Sequence, residues 1–335
     1  AGRMRAPRRR RLSSPVRAGA LALLAAALAA PALAATGGTG GPGAAHDPSP
    51  AFAVGVRVLR YLDAGRLARP RHRRPFARAL PVVVRYPAAA GAPGERDMPG
   101  ASPARNAGPF PLVVFAHGFA VTPATYSRLL RAWARAGYVV AAPVFPLENA
   151  NAPGGPDQSD LVNEPADMSF VITQLLAADA APDGPLSGLI DPARIAVAGQ
   201  SDGGIAALTL AYGKRARDPR LHAAVILSGA EMSGIGGYSF AAGPPLLAVQ
   251  GTADPINAPR YTYAYFAAAA RPKYLLRLLG AGHLPPVTSE QPQLGVVERT
   301  TTAFLDDYAR GAGGAAARLA ALGDVPGVAA LTARP

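Results

Sequence analysis

The chain has 335 residues, of which 50% are hydrophobic and only 16% are charged, with 37 Gly, 35 Pro and no Cys. These proportions exclude a collagen, a coiled coil, a disulfide-stabilised mini-protein and a chain that is disordered throughout. The formal charge of +13 is concentrated near the N-terminus, because residues 81–335 hold 19 basic and 19 acidic residues. Nucleic-acid binding needs basic groups gathered on one surface, so we expect no nucleic-acid partner.

The first 34 residues have the pattern of a secretory leader. Arg8–Arg11 precede the apolar run Ala18–Ala30, and Pro31–Ala34 ends in small residues. This order is typical of a signal peptide, and the apolar run is too short to span a bilayer. We therefore expect a signal peptide over 1–34, cleavage near Ala34, and a secreted mature protein, extracellular or in the cell envelope, without a membrane span. The arginines leave the general and the twin-arginine export routes both open.

The rest of the chain predicts one catalytic domain. Residues 35–50 are rich in Gly and Pro and predict a flexible linker. The domain is expected over 51–312, followed by a C-terminal tail over 313–335. Eight short apolar or β-branched runs predict strands, at Ala53–Leu59, Leu80–Tyr86, Leu112–Ala116, Tyr138–Ala142, Ile195–Ala198, Ala223–Leu227, Leu246–Val249 and Tyr274–Leu279.

Helix-length segments separate the later runs, which indicates how the strands are connected. They lie near Pro123–Ala136, Pro165–Ala178, Gly203–Tyr212, Pro259–Ala270 and Gln293–Tyr308. Alternating strands and helices predict an α/β fold with a mostly parallel, eight-stranded sheet and helices on both faces. The first two runs have no helix between them and could form an antiparallel edge.

A catalytic motif follows the fifth run. Gly199-Gln200-Ser201-Asp202-Gly203 joins a predicted strand to a predicted helix, which is the context of a nucleophile elbow. The two glycines answer a steric need, because side chains two residues before and after the serine would collide with neighbouring backbone. The alternative is an ordinary strand-to-helix turn.

An acid and a base follow the seventh and eighth runs. Asp254 lies 53 residues after Ser201, and His283 lies another 29 residues on. Ligand-binding residues of an open parallel sheet gather at the carboxyl ends of its strands, so these three side chains are candidates for a triad. Asp254 could instead only cap a helix that starts at Pro255, and His283 could be a surface loop residue.

The third run ends in His117-Gly118-Phe119, and with this element a family resemblance emerges. From about Phe52 to Leu305 the chain resembles a serine α/β-hydrolase, and most closely the exported bacterial group related to dienelactone hydrolases, platelet-activating-factor acetylhydrolases and cutinase-like polyesterases. The resemblance implies the α/β-hydrolase fold and an oxyanion hole made by the backbone N–H groups of Phe119 and Asp202. It makes His117 a structural residue. Asp202 departs from the pattern, since relatives often carry Met or Phe there.

The chemistry expected from these groups is acyl transfer to water. Ser201 would attack an ester, His283 would act as base, and Asp254 would orient the imidazole. The predicted activity is that of a serine carboxylesterase, with lipase or polyester hydrolase as narrower possibilities. Two alternatives remain open, an exported acyltransferase with the same triad and a catalytically silent binding protein on this fold.

The expected substrate is a small-molecule or polymeric ester. Only Ser228–Pro245 joins the sixth and seventh runs, so we expect no large cap domain. The predicted cleft walls are Phe119, Met232, Tyr238 and Ile256, with core packing as the alternative for each.

Binding partners other than substrate are not expected. Asp157, Asp160 and Glu164 form an acidic stretch that could suggest a cation, but we expect these residues to serve solvation and capping. We expect no cofactor, no metal and a monomer. The basic segment Arg57–Arg78 either holds the enzyme on an acidic surface or polymer or is simply solvated.

Overall fold

The computed structural model describes residues 51–71 and 73–335, and the expected leader (1–34) and linker (35–50) lie outside them. Within the described residues, ten strands form a single sheet. The strands are β1 (Ala53–Ala68), β2 (Phe76–Ala88), β3 (Met98–Pro99), β4 (Phe110–Ala116), β5 (Val139–Pro143), β6 (Ile190–Gln200), β7 (Leu221–Leu227), β8 (Leu246–Gly251), β9 (Lys273–Leu278) and β10 (Ala329–Arg334).

Six α-helices in the same part of the chain connect and cover these strands. They are α1 (Ser127–Arg135), α2 (Glu164–Ala180), α3 (Asp202–Tyr212), α4 (Pro259–Ala268), α5 (Gln293–Tyr308) and α6 (Ala315–Gly323). Short 3₁₀ helices occupy Arg105–Ala107, Pro123–Tyr126, Gln158–Asn163, Phe240–Ala242 and Pro285–Val287. Across the described residues, no helix has both the length and the apolar character needed to cross a membrane.

The sheet order is β10-β9-β8-β7-β6-β4-β5-β2-β1-β3. The six strands from β9 to β5 in this order are parallel to their neighbours. β1 and β2 form an antiparallel pair, and β2 joins the parallel strands through an antiparallel contact with β5. The predicted mixed sheet, mostly parallel with an antiparallel edge, is confirmed.

Helices cover both faces of the sheet, which explains why its central strands are apolar throughout. All seven residues of β4 are buried. Leu112 and Val114 pack on the face covered by α2, α3 and α4, whereas Val113 and Phe115 pack on the opposite face with α1 and α5. A strand buried on both faces needs apolar side chains at every position rather than at alternate ones.

Two expectations about the sheet are corrected. The sheet has ten strands rather than eight, because β3 adds two residues beside β1 and β10 pairs antiparallel with β9 over six residues. The segment 313–335, expected to be a tail, instead forms α6 and β10, with Leu319 and Ala329 buried in the core. The reason is that β9 would otherwise present an unpaired edge, which β10 satisfies with backbone hydrogen bonds.

The β1–β2 hairpin extends beyond the rest of the sheet, since β5 pairs with β2 only from Val82 to Arg85. Its outer half is fixed by Arg78, which is fully buried and makes paired hydrogen bonds of 2.6 to 2.9 Å to Asp160 and Asp167. Such bidentate pairs define orientation as well as contact. The hairpin turn is thereby held beside the segment that precedes α2.

Candidate active site

Ser201 lies in the tight turn between β6 and α3 with φ 56° and ψ −123°, a conformation that a residue with a side chain adopts only under strain. A Cβ atom on Gly199 would overlap the carbonyl of Gly203, and one on Gly203 would overlap the carbonyl of Ala116. Both glycines are therefore required by the turn. The arrangement has the geometry of a nucleophile elbow rather than of an ordinary strand-to-helix turn.

Ser201, His283 and Asp254 lie in one hydrogen-bonded chain. His283 Nε2 is 2.8 Å from Ser201 Oγ, and His283 Nδ1 is 2.7 Å from Asp254 Oδ2. Ser201 follows β6, Asp254 follows β8 and His283 follows β9, so the carboxyl ends of three strands in the parallel part of the sheet bring the three residues together. The Asp254 carboxylate is inaccessible to solvent, whereas the His283 side chain is partly exposed.

The environment of Asp254 keeps its carboxylate charged. Burial acts to raise the pKa of Asp254, but hydrogen bonds from His283 and from the backbone N–H groups of Ile256 and Asn257 outweigh it, and the pKa lies below its ordinary value. Asp254 does not cap a helix that starts at Pro255, because α4 begins at Pro259 and its N-cap is Ala258. An ionised Asp254 is suited to fix the tautomer of His283 and to stabilise its cation.

The two predicted oxyanion donors lie in the loop after β4 and at the start of α3. Phe119 follows β4, and in the described part of the chain its N–H donates to no protein acceptor. Asp202 is the first residue of α3, where an N–H has no intrahelical acceptor. Free N–H groups of this kind are what an oxyanion hole needs.

A buried hydrogen-bond network connects the loop His117–Phe119, called the oxyanion loop below, to the elbow. The sequence analysis missed this network. The Tyr126 hydroxyl accepts from the N–H of Gly118 at 3.1 Å and donates to Gln200 Oε1 at 2.7 Å. The Gln200 amide in turn donates to the carbonyl of His283 at 3.3 Å. Gln200 stands inside the Ser201 motif and could have been singled out, but nothing in the sequence signals Tyr126, 74 residues earlier.

His117 is fully buried and bonds only to backbone in the described chain. Its Nε2 accepts the N–H of Phe145 at 3.2 Å, which leaves Nδ1 to donate to the carbonyl of Gly118 at 2.9 Å. Burial lowers the pKa of His117 to about 4, so the ring is neutral. These contacts hold the loop before Phe119 against the segment that follows β5.

An acidic cluster lies beneath Asp202. The Gln158 amide donates to Asp202 Oδ2 at 2.6 Å, and burial raises the pKa of Asp202. Glu148 and Glu164 are fully buried beside each other, and in the described chain no other residue donates a hydrogen bond to their carboxyl oxygens. Burial raises the pKa of Glu148 to about 8, and burial beside Glu148 raises that of Glu164 well above its ordinary value.

The acidic stretch expected to be solvated is corrected in part. Asp157 caps a 3₁₀ helix through the N–H of Ser159, as predicted. All three residues are buried, however, because Arg78 draws Asp160 inward and α2 carries Glu164 against the core. Within 51–71 and 73–335, no group of three or more His, Asp or Glu side chains is arranged to hold a metal ion.

Two of the four predicted cleft walls lie at the site. Phe119 is 40% exposed beside the oxyanion loop, and Ile256 is 66% exposed, with its N–H bonded to Asp254. Tyr238 is corrected, whereas the predicted wall at Met232 stays a prediction. The Tyr238 hydroxyl bonds to Thr209 and to the N–H of Met232, about 10 Å along α3 from the elbow.

The physical reason is the path of the connection from β7 to β8. This connection runs along α3 away from the elbow to the far end of that helix. There Tyr238 pairs with Gly213 and stacks on Phe240. In this connection the structure has one 3₁₀ helix and no cap.

A comparison with protein families matches residues 98–249 to the family described as chlorophyllase, which is less than half of the chain. No curated protein matches the chain. The matched residues include Phe119, Ser201 and Asp202 but end before Asp254 and His283. Together with the sheet, the match identifies the α/β-hydrolase fold and supports ester hydrolysis as the general class of activity.

Proposed function

We propose that the protein is an exported serine carboxylesterase that acts through an acyl-enzyme intermediate. The observation that carries the proposal is the hydrogen-bonded chain from Ser201 through His283 to Asp254 at a strained elbow. Export is supported by the leader-like pattern of residues 1–34. The polyester-hydrolase and lipase possibilities concern only the substrate and leave this mechanism unchanged.

The first half of the reaction forms the acyl-enzyme. Ser201 Oγ attacks the ester carbonyl carbon while His283 Nε2 takes the hydroxyl proton, and the carbonyl oxygen becomes an oxyanion between the N–H groups of Phe119 and Asp202. The bond from carbon to the alcohol oxygen then breaks. His283 gives its proton to that oxygen, so a neutral alcohol leaves.

The second half returns the enzyme to its starting state. Water attacks the acyl carbonyl as His283 takes one of its protons, and the same two N–H groups hold the second oxyanion. The bond to Ser201 Oγ breaks, and His283 returns the proton to the serine. The carboxylic acid is released. Asp254 stabilises the imidazolium in both halves without itself taking a proton.

The test is Ser201→Ala, which removes the nucleophile but leaves the elbow glycines in place. We expect loss of p-nitrophenyl ester hydrolysis by more than about a thousandfold, with unchanged thermal unfolding. A fluorophosphonate probe should label the wild type and not the variant. Retention of several per cent of the activity would overturn the assignment.

The range of substrates is tested by assaying the wild-type enzyme on a panel of esters. Rates on p-nitrophenyl esters of increasing acyl length, a polyester film and a chlorophyll would place the enzyme among esterases, polyester hydrolases and enzymes of the kind named by the family match. Faster acyl transfer to an added alcohol than to water would instead indicate the acyltransferase.

A further inference from the structure

A cavity of about 370 Å³ adjoins the oxyanion loop. Phe119 lines it on one side, and Gln158, which donates to the carboxylate of Asp202, lines it on the other. The residues between them are the prolines and glycines of 153–156. Because Phe119 and Asp202 are the two proposed oxyanion donors, this cavity lies next to the position of the reacting carbonyl. Its volume suits part of a small ligand.

The charged residues that line this cavity are Arg71, from the turn between β1 and β2, and Asp157. The hairpin turn over 69–75 contains four arginines and no acidic residue. Arg71 lines the cavity and has a 72% exposed side chain, 3.3 Å from Asp157. Asp157 Oδ1 accepts the N–H and the hydroxyl of Ser159, and Oδ2 faces Arg71 Nε. The two terminal nitrogens of Arg71 therefore remain for a ligand.

Arg73 lies over the same segment. Its side chain packs on Gly154, where an added Cβ would be only 3.4 Å from Arg73 Nε. Gly154 and Gly155 both have positive φ, which permits this close backbone approach. In the described chain Arg73 has no acidic partner. The buried pairs of Arg78 with Asp160 and Asp167 fix the strand that follows, so the turn is held over the cavity.

Resting on the proposed function, we propose that this cavity is a subsite for a carboxylate, so that the preferred substrates are esters that carry a negative charge on the part bound beside Phe119. Half-esters of dicarboxylic acids are the simplest members of this class. Their methylene chain would contact Phe119 and the neighbouring prolines, and the terminal carboxylate would bind the guanidinium groups of Arg71 and Arg73. Guanidinium groups bind carboxylates through paired hydrogen bonds, which gives orientation as well as attraction.

The experiment compares two p-nitrophenyl esters of equal acyl length, one ending in a methyl group and one ending in a carboxylate. We expect the wild type to favour the carboxylate ester by about threefold to fivefold in kcat/KM at low salt, as for a partly exposed ion pair. The preference should shrink in half-molar salt because the interaction is screened. The double variant Arg71→Gln/Arg73→Gln should reduce the ratio of the two kcat/KM values to about one.

Arg215→Gln is the matched control. Arg215 is also an exposed arginine packed on a glycine, Gly236. It follows the C-terminal end of α3, whereas Ser201 precedes the N-terminal end of the same helix. This variant should keep the wild-type ratio. A wild-type ratio of one or below, or a ratio that the double variant leaves unchanged, would overturn the proposal.

Two further outcomes are distinguishable. If neither ester is hydrolysed, the proposed function is wrong. If both esters are hydrolysed with equal kcat/KM, only the proposed subsite is wrong. If the double variant loses binding to phosphatidylglycerol vesicles while the ester ratio stays the same, the arginines attach the protein to anionic surfaces, and the subsite is rejected.

Discussion

Asp254 uses its two carboxylate oxygens for different purposes. Oδ2 bonds to His283, and Oδ1 accepts the backbone N–H groups of Ile256 and Asn257. An asparagine at this position can keep the second set of bonds through its carbonyl oxygen, but it loses the charge and can present an N–H to the imidazole. The loop and the catalytic role can therefore be separated by one substitution.

We expect Asp254→Asn to lower kcat by a factor of about 10⁴, because the imidazole then takes the wrong tautomer. The unfolding midpoint should change by only a few degrees. Stopped assays with a p-nitrophenyl ester and a thermal melt measure the two effects. If turnover stayed within tenfold of wild type, the acid would have to be sought elsewhere, with Asp202 the first candidate.

Tyr126 is a positioning residue, since its hydroxyl connects Gly118 to Gln200 without reaching the reacting atoms. Tyr126→Phe leaves a buried N–H and a buried amide oxygen without partners. We expect kcat to fall about tenfold to a hundredfold with little change in KM, because the oxyanion loop is less well held while the substrate surface is intact. Labelling by the fluorophosphonate should slow to the same extent.

Tyr238→Phe is the control for this prediction. It also removes a hydroxyl with two partners, Thr209 and the N–H of Met232, in a partly buried position at a distance from the elbow. Each variant should lose about 1 to 3 kcal/mol of unfolding free energy. Only Tyr126→Phe should lose turnover. Equal effects on kcat would show that the loss reflects stability alone.

Among the secondary-structure elements, β10 completes the sheet and α6 contributes to the core, so this segment is not a tail. α6 packs Leu319 into the core on the face that α5 covers, and β10 gives β9 its outer hydrogen-bonding partner. An apolar side chain that is fully buried contributes to stability through its contacts, whereas an exposed one contributes little. The role of this segment can therefore be measured with one leucine.

We expect Leu319→Ala to lower the unfolding free energy by about 2 to 5 kcal/mol, as large-to-small core substitutions do. Leu62→Ala is the matched control, because Leu62 in β1 is 58% exposed and its loss should cost less than about 0.5 kcal/mol. Urea unfolding followed by fluorescence gives both values. Equal midpoints for the two variants would mean that α6 is not part of the cooperative core.

At the scale of the whole molecule, the buried pair Glu148 and Glu164 links global stability to pH. Burial, with the negative charges of Asp202, Asp160 and Asp157, raises the pKa of Glu148 to about 8. The native state therefore binds more protons than the unfolded state between the ordinary glutamate pKa and about pH 8. Stability must fall as pH rises through that window.

Glu148→Gln removes the contribution of Glu148 to this dependence while keeping the side-chain volume. We expect the variant to be more stable than wild type at pH 9 by on the order of a few kcal/mol, with the difference shrinking toward pH 4. Urea midpoints across this range test it. A wild-type stability that is flat between pH 5 and pH 8 would contradict a protonated pair.

The amino-acid sequence was enough to predict the strands β1, β2 and β4 to β9, the helices α1 to α5, and the three candidate residues Ser201, Asp254 and His283. Each of these leaves a local mark: a short apolar run, a helix-length segment, or a chemical side chain at the end of a run. The order of strands and helices then restricts the topology, because parallel strands need crossover connections and place their carboxyl ends together.

Contacts between residues that are distant in the chain could not be predicted in this way, because they depend on how the elements pack. β10 is a strand because β9 offers it an edge, and Tyr126 reaches Gln200 because the 3₁₀ helix after β4 lies beside the end of β6. Tyr238 turns away from the cleft because its connection follows α3, and Glu148 meets Glu164 beneath Asp202. These features depend on burial and hydrogen-bond geometry in three dimensions, for which periodicity and spacing along the chain carry no signal.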